Sequence, residues 1–252
     1  MSIQVYGWNK DKSDTRDFKF GAIYEVTGSY PNVVDNRSTD WGIYNQGQLG
    51  SCTANSSLSA YRNLLLREKK IDIELSRLAQ YYWSRLSEGS TATDNGAEIR
   101  DAIKVLASTG AALESLWPYD IEKFTIEPST EASHSASQHI CVQYLSVNQT
   151  KDDICTAINK NGNLVIGITV YNSFEGIDCA KTGVIPIPDT TKEQALGGHA
   201  IELIGYDLDK NHVIFKNSWG ADWGDKGYGY LPFDYILNNN LASDFWTLEV
   251  VD

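Results

Sequence analysis

The apolar residues of this chain change period part-way along it. Leu58, Tyr61, Leu65 and Leu66 recur at helical spacing and predict a helix over 52–68. A second helix is predicted over 75–87. In a third, over 97–109, Ile99, Ile103, Val105 and Leu106 form an apolar stripe that Gly110 ends. Farther on, strand-type runs take over at Val142–Val147, Leu164–Tyr171, His199–Tyr206, His212–Lys216 and Gly229–Pro232, with a helix-like interruption at Lys151–Asn159. Helices first and strands after read as an α+β fold of two packed halves, the helical one over about 50–125 and the β one over about 139–235. Trp117-Pro118-Tyr119 closes the helical half. Residues 120–138, rich in Ser, Thr and Glu, read as a linker or exposed loop.

Composition bounds the partners. At 252 residues, 42% of them hydrophobic and 11% aromatic, the chain is long enough for a proper core. A net charge of −12 argues against nucleic acid and anionic membrane surfaces. No run of about 18 apolar residues spans a bilayer, and the first residues show no apolar signal-peptide region. A cytoplasmic location, or export by a non-classical route, is the expectation, and so is a monomer. Four cysteines, one needed as a free thiol, make no disulfide framework and favour a reducing compartment. Cys141, Cys155 and Cys179 read as small buried hydrophobes. No metal or cofactor set is visible.

Three separated pieces carry chemistry. Cys52 ends the run Asn45-Gln46-Gly47-Gln48-Leu49-Gly50-Ser51-Cys52. Gly197-Gly198-His199-Ala200 and Lys216-Asn217-Ser218-Trp219-Gly220 follow far downstream. With Gly50-Ser51 as turn and cap, Cys52 falls in the first turn of a helix, where the dipole and a facing imidazolium lower a thiol's pKa. Gln46 can carry its amide back toward the Cys52 backbone N–H, giving two donors for an oxyanion. His199 would move the proton, and Asn217 would hold its second ring nitrogen without adding charge. Together these are the parts for acyl transfer through a cysteine thioester.

From about Val34 to about Tyr230 the chain resembles the papain-like (C1) cysteine peptidases, in particular a propeptide-poor microbial or viral branch. His199 follows Cys52 by 147 residues, in keeping with the family's spacing. Asn217-Ser218-Trp219-Gly220-x-x-Trp223-Gly224-x-x-Gly227-Tyr228 is a long, specific match. Leu49 and Thr53 depart from the signature around the nucleophile: the first removes a cysteine staple, and the second replaces an aromatic. The resemblance implies a two-domain fold, a helical left half and an antiparallel β-barrel-like right half with the active site in the cleft between them. It also implies that Trp219 shields the His–Asn hydrogen bond, that Ala200 and Ile168 wall the pocket for the second side chain before the cut, and that the backbone of Gly96 pairs with extended substrate.

A cysteine endopeptidase acting on peptides or proteins is the leading reading. A silent papain-fold peptide-binding module and an acyl transferase sharing the acyl-enzyme are the alternatives; the intact set of Gln46, Cys52, His199 and Asn217 speaks against the silent module. Residues 1–33 form a lead segment ahead of a domain over 34–252. Its aromatic residues, Tyr6 and Trp8 among them, suit docking on the folded body, either as a lid crossing the cleft or as a strap on the outside.

Overall fold

The computed structural model describes residues 4–140 and 143–249; Cys141 and the predicted start of a strand at Val142 lie outside them. In chain order the elements are β1 (Trp8–Asn9), α1 (Phe20–Ile23), β2 (Val33–Asp35), α2 (Cys52–Lys69), α3 (Arg77–Ser87), β3 (Ala97–Glu98), α4 (Ile99–Ser108) and α5 (Thr130–Ala136). Then come β4 (Gln143–Ser146), α6 (Lys151–Asn161), β5 (Leu164–Tyr171), α7 (Ile177–Thr182), β6 (Ala195–Asp207), β7 (His212–Lys216), β8 (Tyr228–Pro232), α8 (Phe233–Ile236) and β9 (Ala242–Glu249).

The large sheet has seven strands in the order β4-β9-β5-β6-β7-β8, with β2 added to β6. All its pairs are antiparallel. Among the described strands it does not close, so the barrel-like half expected from the sequence is an open sheet ending at β4 and β8. Strand β5 shows why its two faces have different fates. Ile166, Ile168 and Val170 join a core with Ile154 and Ile158 of α6, whereas Val165 joins a second core with Leu58, Leu64 and Ile103 of the helical half. A period of two residues puts neighbours on opposite faces.

Helix α2 is the seam. Every residue from Cys52 to Tyr61 is buried, including Thr53, Asn55, Ser56, Ser57 and Ser59. Ser56 and Ser57 donate back to carbonyls of the preceding turn, which keeps small hydroxyls inside without orphaned protons. Ser59 donates to Glu202 at 2.5 Å and Asn63 to the same carboxylate at 2.9 Å, joining the helix to β6. Across the sheet Lys216 is the register partner of Glu202 and meets Asp40 at 2.5 Å, both side chains 2% exposed. Tyr228 donates to the other Asp40 oxygen at 2.5 Å. Burial pushes the Glu202 carboxyl up to about 7 and lowers the Lys216 ammonium; the opposed charges work against both shifts.

Removing one partner of such a pair strands the others. Lys216→Met is expected to cost about 3–5 kcal/mol in urea unfolding, because Asp40 and Glu202 lose their cation while shut away from water. A loss under about 1 kcal/mol, the size typical of an exposed pair, would mean that this cluster is solvated.

Candidate active site

Helix α2 begins at Cys52 because the loop before it is tied down on several sides. Gly50 donates its N–H to the Asp94 carboxylate at 3.0 and 3.1 Å, and Tyr81 donates to the same carboxylate at 2.5 Å. Arg77 donates to the Asn45 carbonyl at 3.0 Å and to the Asn55 side chain at 3.1 Å, and its guanidinium lies 3.8 Å from the Tyr119 ring centroid. The Tyr119 hydroxyl donates to the Gln46 carbonyl at 2.9 Å, so Ser51 donates to Tyr119 across 2.5 Å. The expected Ser51 cap is therefore absent: its hydroxyl is spent on Tyr119 and makes no cap bond to the helix. Asp94, Arg77 and Tyr119 belong to no short motif, which is why sequence reasoning missed them.

Gln46 is fully buried. Its oxygen accepts from Ser218 at 2.6 Å, and its amide donates to the Leu49 carbonyl at 3.0 Å and the Val5 carbonyl at 3.1 Å. His199, on β6, meets the Asn217 side-chain oxygen through Nε2 at 2.8 Å. That oxygen also accepts from the Ser218 N–H at 2.9 Å, so it is the carbonyl end and His199 Nε2 carries the proton. Nδ1 is left without a hydrogen-bond partner. The Trp219 indole stacks on the imidazole, centroids 4.9 Å apart and planes 26° apart. The backbone N–H of Ala200, next to His199, is among the groups that lower the Cys52 thiol's pKa. The four candidates are thus brought together at the junction of α2, β6 and the turn after β7. His212 lies elsewhere, tilted against Tyr230.

The lead segment fills the same place. Gly7 is buried, its backbone N–H helping to lower the Cys52 thiol's pKa and its carbonyl accepting from Ala97 at 2.8 Å. The next residues form β1, parallel to β3, with Trp8 opposite Ala97. A side chain at Gly7 would sit 1.7 Å from the Gly50 carbonyl oxygen. Gly96 lies against Gly7, and a Cβ there would be 2.2 Å from the Gly7 oxygen, but its own N–H turns inward to Tyr81 at 3.1 Å. With the lead segment docked, the backbone pairing at this point is made by Ala97. Ile168, expected in the pocket wall, points into the core behind the sheet, and its neighbour Gly167 faces the cleft, with the Trp8 ring 2.0 Å from where a Cβ would stand. A one-residue slip reverses the face of a strand position. The lone glycine inside Leu164–Tyr171 was the available signal, since such a glycine marks a close approach. Ala200 is buried in the core against which Trp8 packs.

Residues 30–241 match the family described as papain family cysteine protease. The chain belongs to that family. It is 38% identical over 277 residues to an uncharacterized peptidase C1-like protein of Acanthamoeba polyphaga mimivirus, covering 98% of this chain and 87% of that one. It is 30% identical over 228 residues to a cathepsin B-like protein of Giardia intestinalis, covering 86% and 69%. Among solved structures, xylellain, a cysteine protease from Xylella fastidiosa, superposes with a TM-score of 0.91 at 34% identity, covering 98% of this chain and 96% of the other. A cysteine protease of Carica candamarcensis in complex with E-64 shares the fold, with a TM-score of 0.67 at 19% identity.

In this papain-family peptidase the electrostatics are those of a closed site. Burial pushes the Cys52 thiol up to about 11 against the backbone N–H groups that lower it, and burial brings His199 down to about 4 against its bond to Asn217. The low-pKa thiolate expected from the sequence is not the form present here, because water is excluded from both groups. No described helix is long and apolar enough to cross a membrane.

One latch on the segment titrates near neutrality. Asp11 is pushed up to about 7 by burial and then by the neighbouring Asp244, against hydrogen bonds from the Arg100 N–H and the Trp246 indole and the Arg100 charge. Arg100 also pairs with Asp17 at 3.0 Å, and Asp244 accepts from the Asp11 N–H at 2.8 Å. Undocked, Asp11 returns to about 3.9. A carboxyl raised on docking stabilises the docked form fully below about 4 and ceases to do so as pH rises through about 7. Amide-exchange protection at Tyr6–Asn9, corrected for intrinsic rates, is expected to fall between about pH 4 and 7 and to level off above that. In Asp11→Asn that fall should vanish; an unchanged profile would remove Asp11 as its origin.

Proposed function

We propose that the chain is a peptidase that hydrolyses peptide bonds in peptides or proteins through a thioester on Cys52, and that its own residues 5–9 hold it closed. The observation that carries this reading is the assembly of Cys52, the His199–Asn217 pair and the Gln46 amide around one buried thiol, with a backbone strand of the lead segment laid over it.

Once the segment leaves, water and substrate enter and the charged forms become accessible. His199 Nδ1 takes the proton from the Cys52 thiol, and the thiolate adds to the scissile carbonyl carbon. The developing oxyanion takes hydrogen bonds from the Gln46 amide and the Cys52 N–H. The imidazolium gives its proton to the departing amine, the C–N bond breaks and a thioester remains. Water, deprotonated by His199, then hydrolyses it and restores the thiol. Asn217 holds Nε2 throughout, and the Trp219 face keeps water from that bond.

The segment's own backbone takes up groups that the reaction needs. Gly7 lies beside the thiol, where its backbone N–H helps to lower the thiol's pKa, and its carbonyl is committed to Ala97. The Val5 carbonyl occupies the Gln46 donor.

Gly7→Ala tests both halves of the reading, since the added methyl cannot coexist with the Gly50 carbonyl in the docked arrangement. Iodoacetamide labelling of Cys52 and turnover of peptides are expected to rise together in this full-length variant. In that background Cys52→Ser should abolish hydrolysis, and Gln46→Ala should lower turnover about 10²–10³-fold with little change in binding. Hydrolysis surviving Cys52→Ser would sink the mechanism. Unchanged labelling in a folded Gly7→Ala protein would sink the closed state.

A further inference from the structure

The lead segment carries one aromatic side chain on each side of the thiol, and each ends on a carboxylate of the body. Trp8 lies over Gly167 and Gly198: Cβ atoms there would stand 2.0 and 2.8 Å from its ring, so neither wall can bear a side chain. Its indole N–H donates to Asp244 at 3.0 Å. On the other side the Tyr6 ring meets His199 and Trp219 edge-on, with centroids 6.3 and 6.4 Å apart, over Gly197, and its hydroxyl donates to Glu175.

Resting on the peptidase reading above, we propose that Asp244 and Glu175 are specificity-determining residues that select aromatic side chains tipped with a hydrogen-bond donor on either side of the scissile bond. The His199 side of the thiol receives the leaving amine, because the imidazole must protonate it. Tyr6 therefore occupies the leaving-group pocket and Trp8 the acyl pocket. A cleavable peptide therefore runs opposite to the segment, its acyl side where Trp8 lies and its amine side where Tyr6 lies. Reversing Tyr6-Gly7-Trp8 gives the preferred order: tryptophan, then glycine, the cut, then tyrosine. The narrow space at Gly7, hemmed by Gly50 and Gly96, favours glycine in the middle.

Both carboxylates suit the role. A tryptophan or tyrosine that buries its ring loses water at its N–H or O–H and needs an acceptor there. A pocket built to accept a hydrogen bond rejects the analogue lacking the donor, because its own polar group is left unpaired. Asp244 has a φ of 60°, a left-handed conformation that asparagine and glycine tolerate, so both can replace it without strain.

The experiment uses the full chain carrying Gly7→Ala and internally quenched peptides of the form Ala-Trp-Gly-Tyr-Ala, with Phe or Leu for Trp and Phe or Ala for Tyr. kcat/KM is expected to favour Trp over Phe, and Tyr over Phe, by about 10-fold each, the scale of one hydrogen bond to a carboxylate. Asp244→Gly should erase the Trp preference, read as the ratio of kcat/KM for the Trp and Phe peptides in the same enzyme, and Asp244→Asn should keep part of it. Glu175→Gln should weaken only the Tyr preference. Brisk cleavage with no Trp or Tyr preference, or a preference that survives Asp244→Gly, overturns the proposal and leaves the peptidase reading standing. Cleavage of none of the peptides, with Cys52 titrating as a free thiol, overturns the peptidase reading and this assignment with it.

Discussion

Burial of helix α2 on both sides is the constraint from which the rest follows. A helix that carries its first residue into the seam between two cores must be small and polar along much of its length, and the serines from 56 to 59 supply that. They allow the close approach to β6, and Ser59 and Asn63 turn it into hydrogen bonds with Glu202. Because β6 also carries His199, the contact that joins the halves fixes the separation between imidazole and thiol. Lys216, on β7 and one residue from Asn217, and its partner Asp40 reinforce the same joint. Stability and site geometry therefore share the same buried charges, and an uncompensated charge at this joint would reach the site directly.

The cleft is shaped by glycines in a way that hydrophobic patterning does not display. Gly96, Gly167, Gly197 and Gly198 each face the lead segment at distances where a methyl group would collide, and a methyl at Gly50 would stand a tight 3.3 Å from the Tyr6 carbonyl oxygen. Together they leave a channel one extended backbone wide with a pocket on each side. Only Gly7 can pass the narrowest point, between Gly50 and Gly96. Around Gly7 the fit is backbone to backbone, and at Gly167 and Gly197 the Trp8 and Tyr6 side chains lie on bare backbone, so its specificity comes from the absence of body side chains where most interfaces use their presence.

The sequence displayed the long elements well. The predicted starts of α2 and α6, and both ends of β5 and β7, agree with the observed bounds, because each combines strong periodicity with a turn residue at its end. What it hid has physical reasons. Helix α5 falls inside the stretch read as a linker, since Ala132 and Ala136 are its only apolar anchors and need Tyr82, Trp83 and Val105 to bury them. Strand β9 was not anticipated because Asp244 breaks its alternation with a left-handed residue. The four candidate residues were readable from motifs, each defined by local sequence. Arg77, Asp94 and Tyr119 were not: they act on the Gln46–Cys52 loop from distant elements, and single-sequence patterns carry no record of such contacts.

The protonation state ties these observations together. With the thiol held at about 11 and the imidazole at about 4, the proton belongs on sulfur throughout the neutral range, so the closed site holds two uncharged groups. Separating them into thiolate and imidazolium inside a dry cleft would create two charges with no water to solvate them, and the backbone N–H groups of Ala200, Gly7, Thr53 and Cys52 itself oppose that cost at the sulfur. Departure of the segment removes one of those donors but admits solvent, and for two ions the solvent is the larger effect. Activation on this reading requires no covalent change in the chain. Hydration of the cleft is enough, and the same event that exposes the pockets to substrate shifts the proton toward His199.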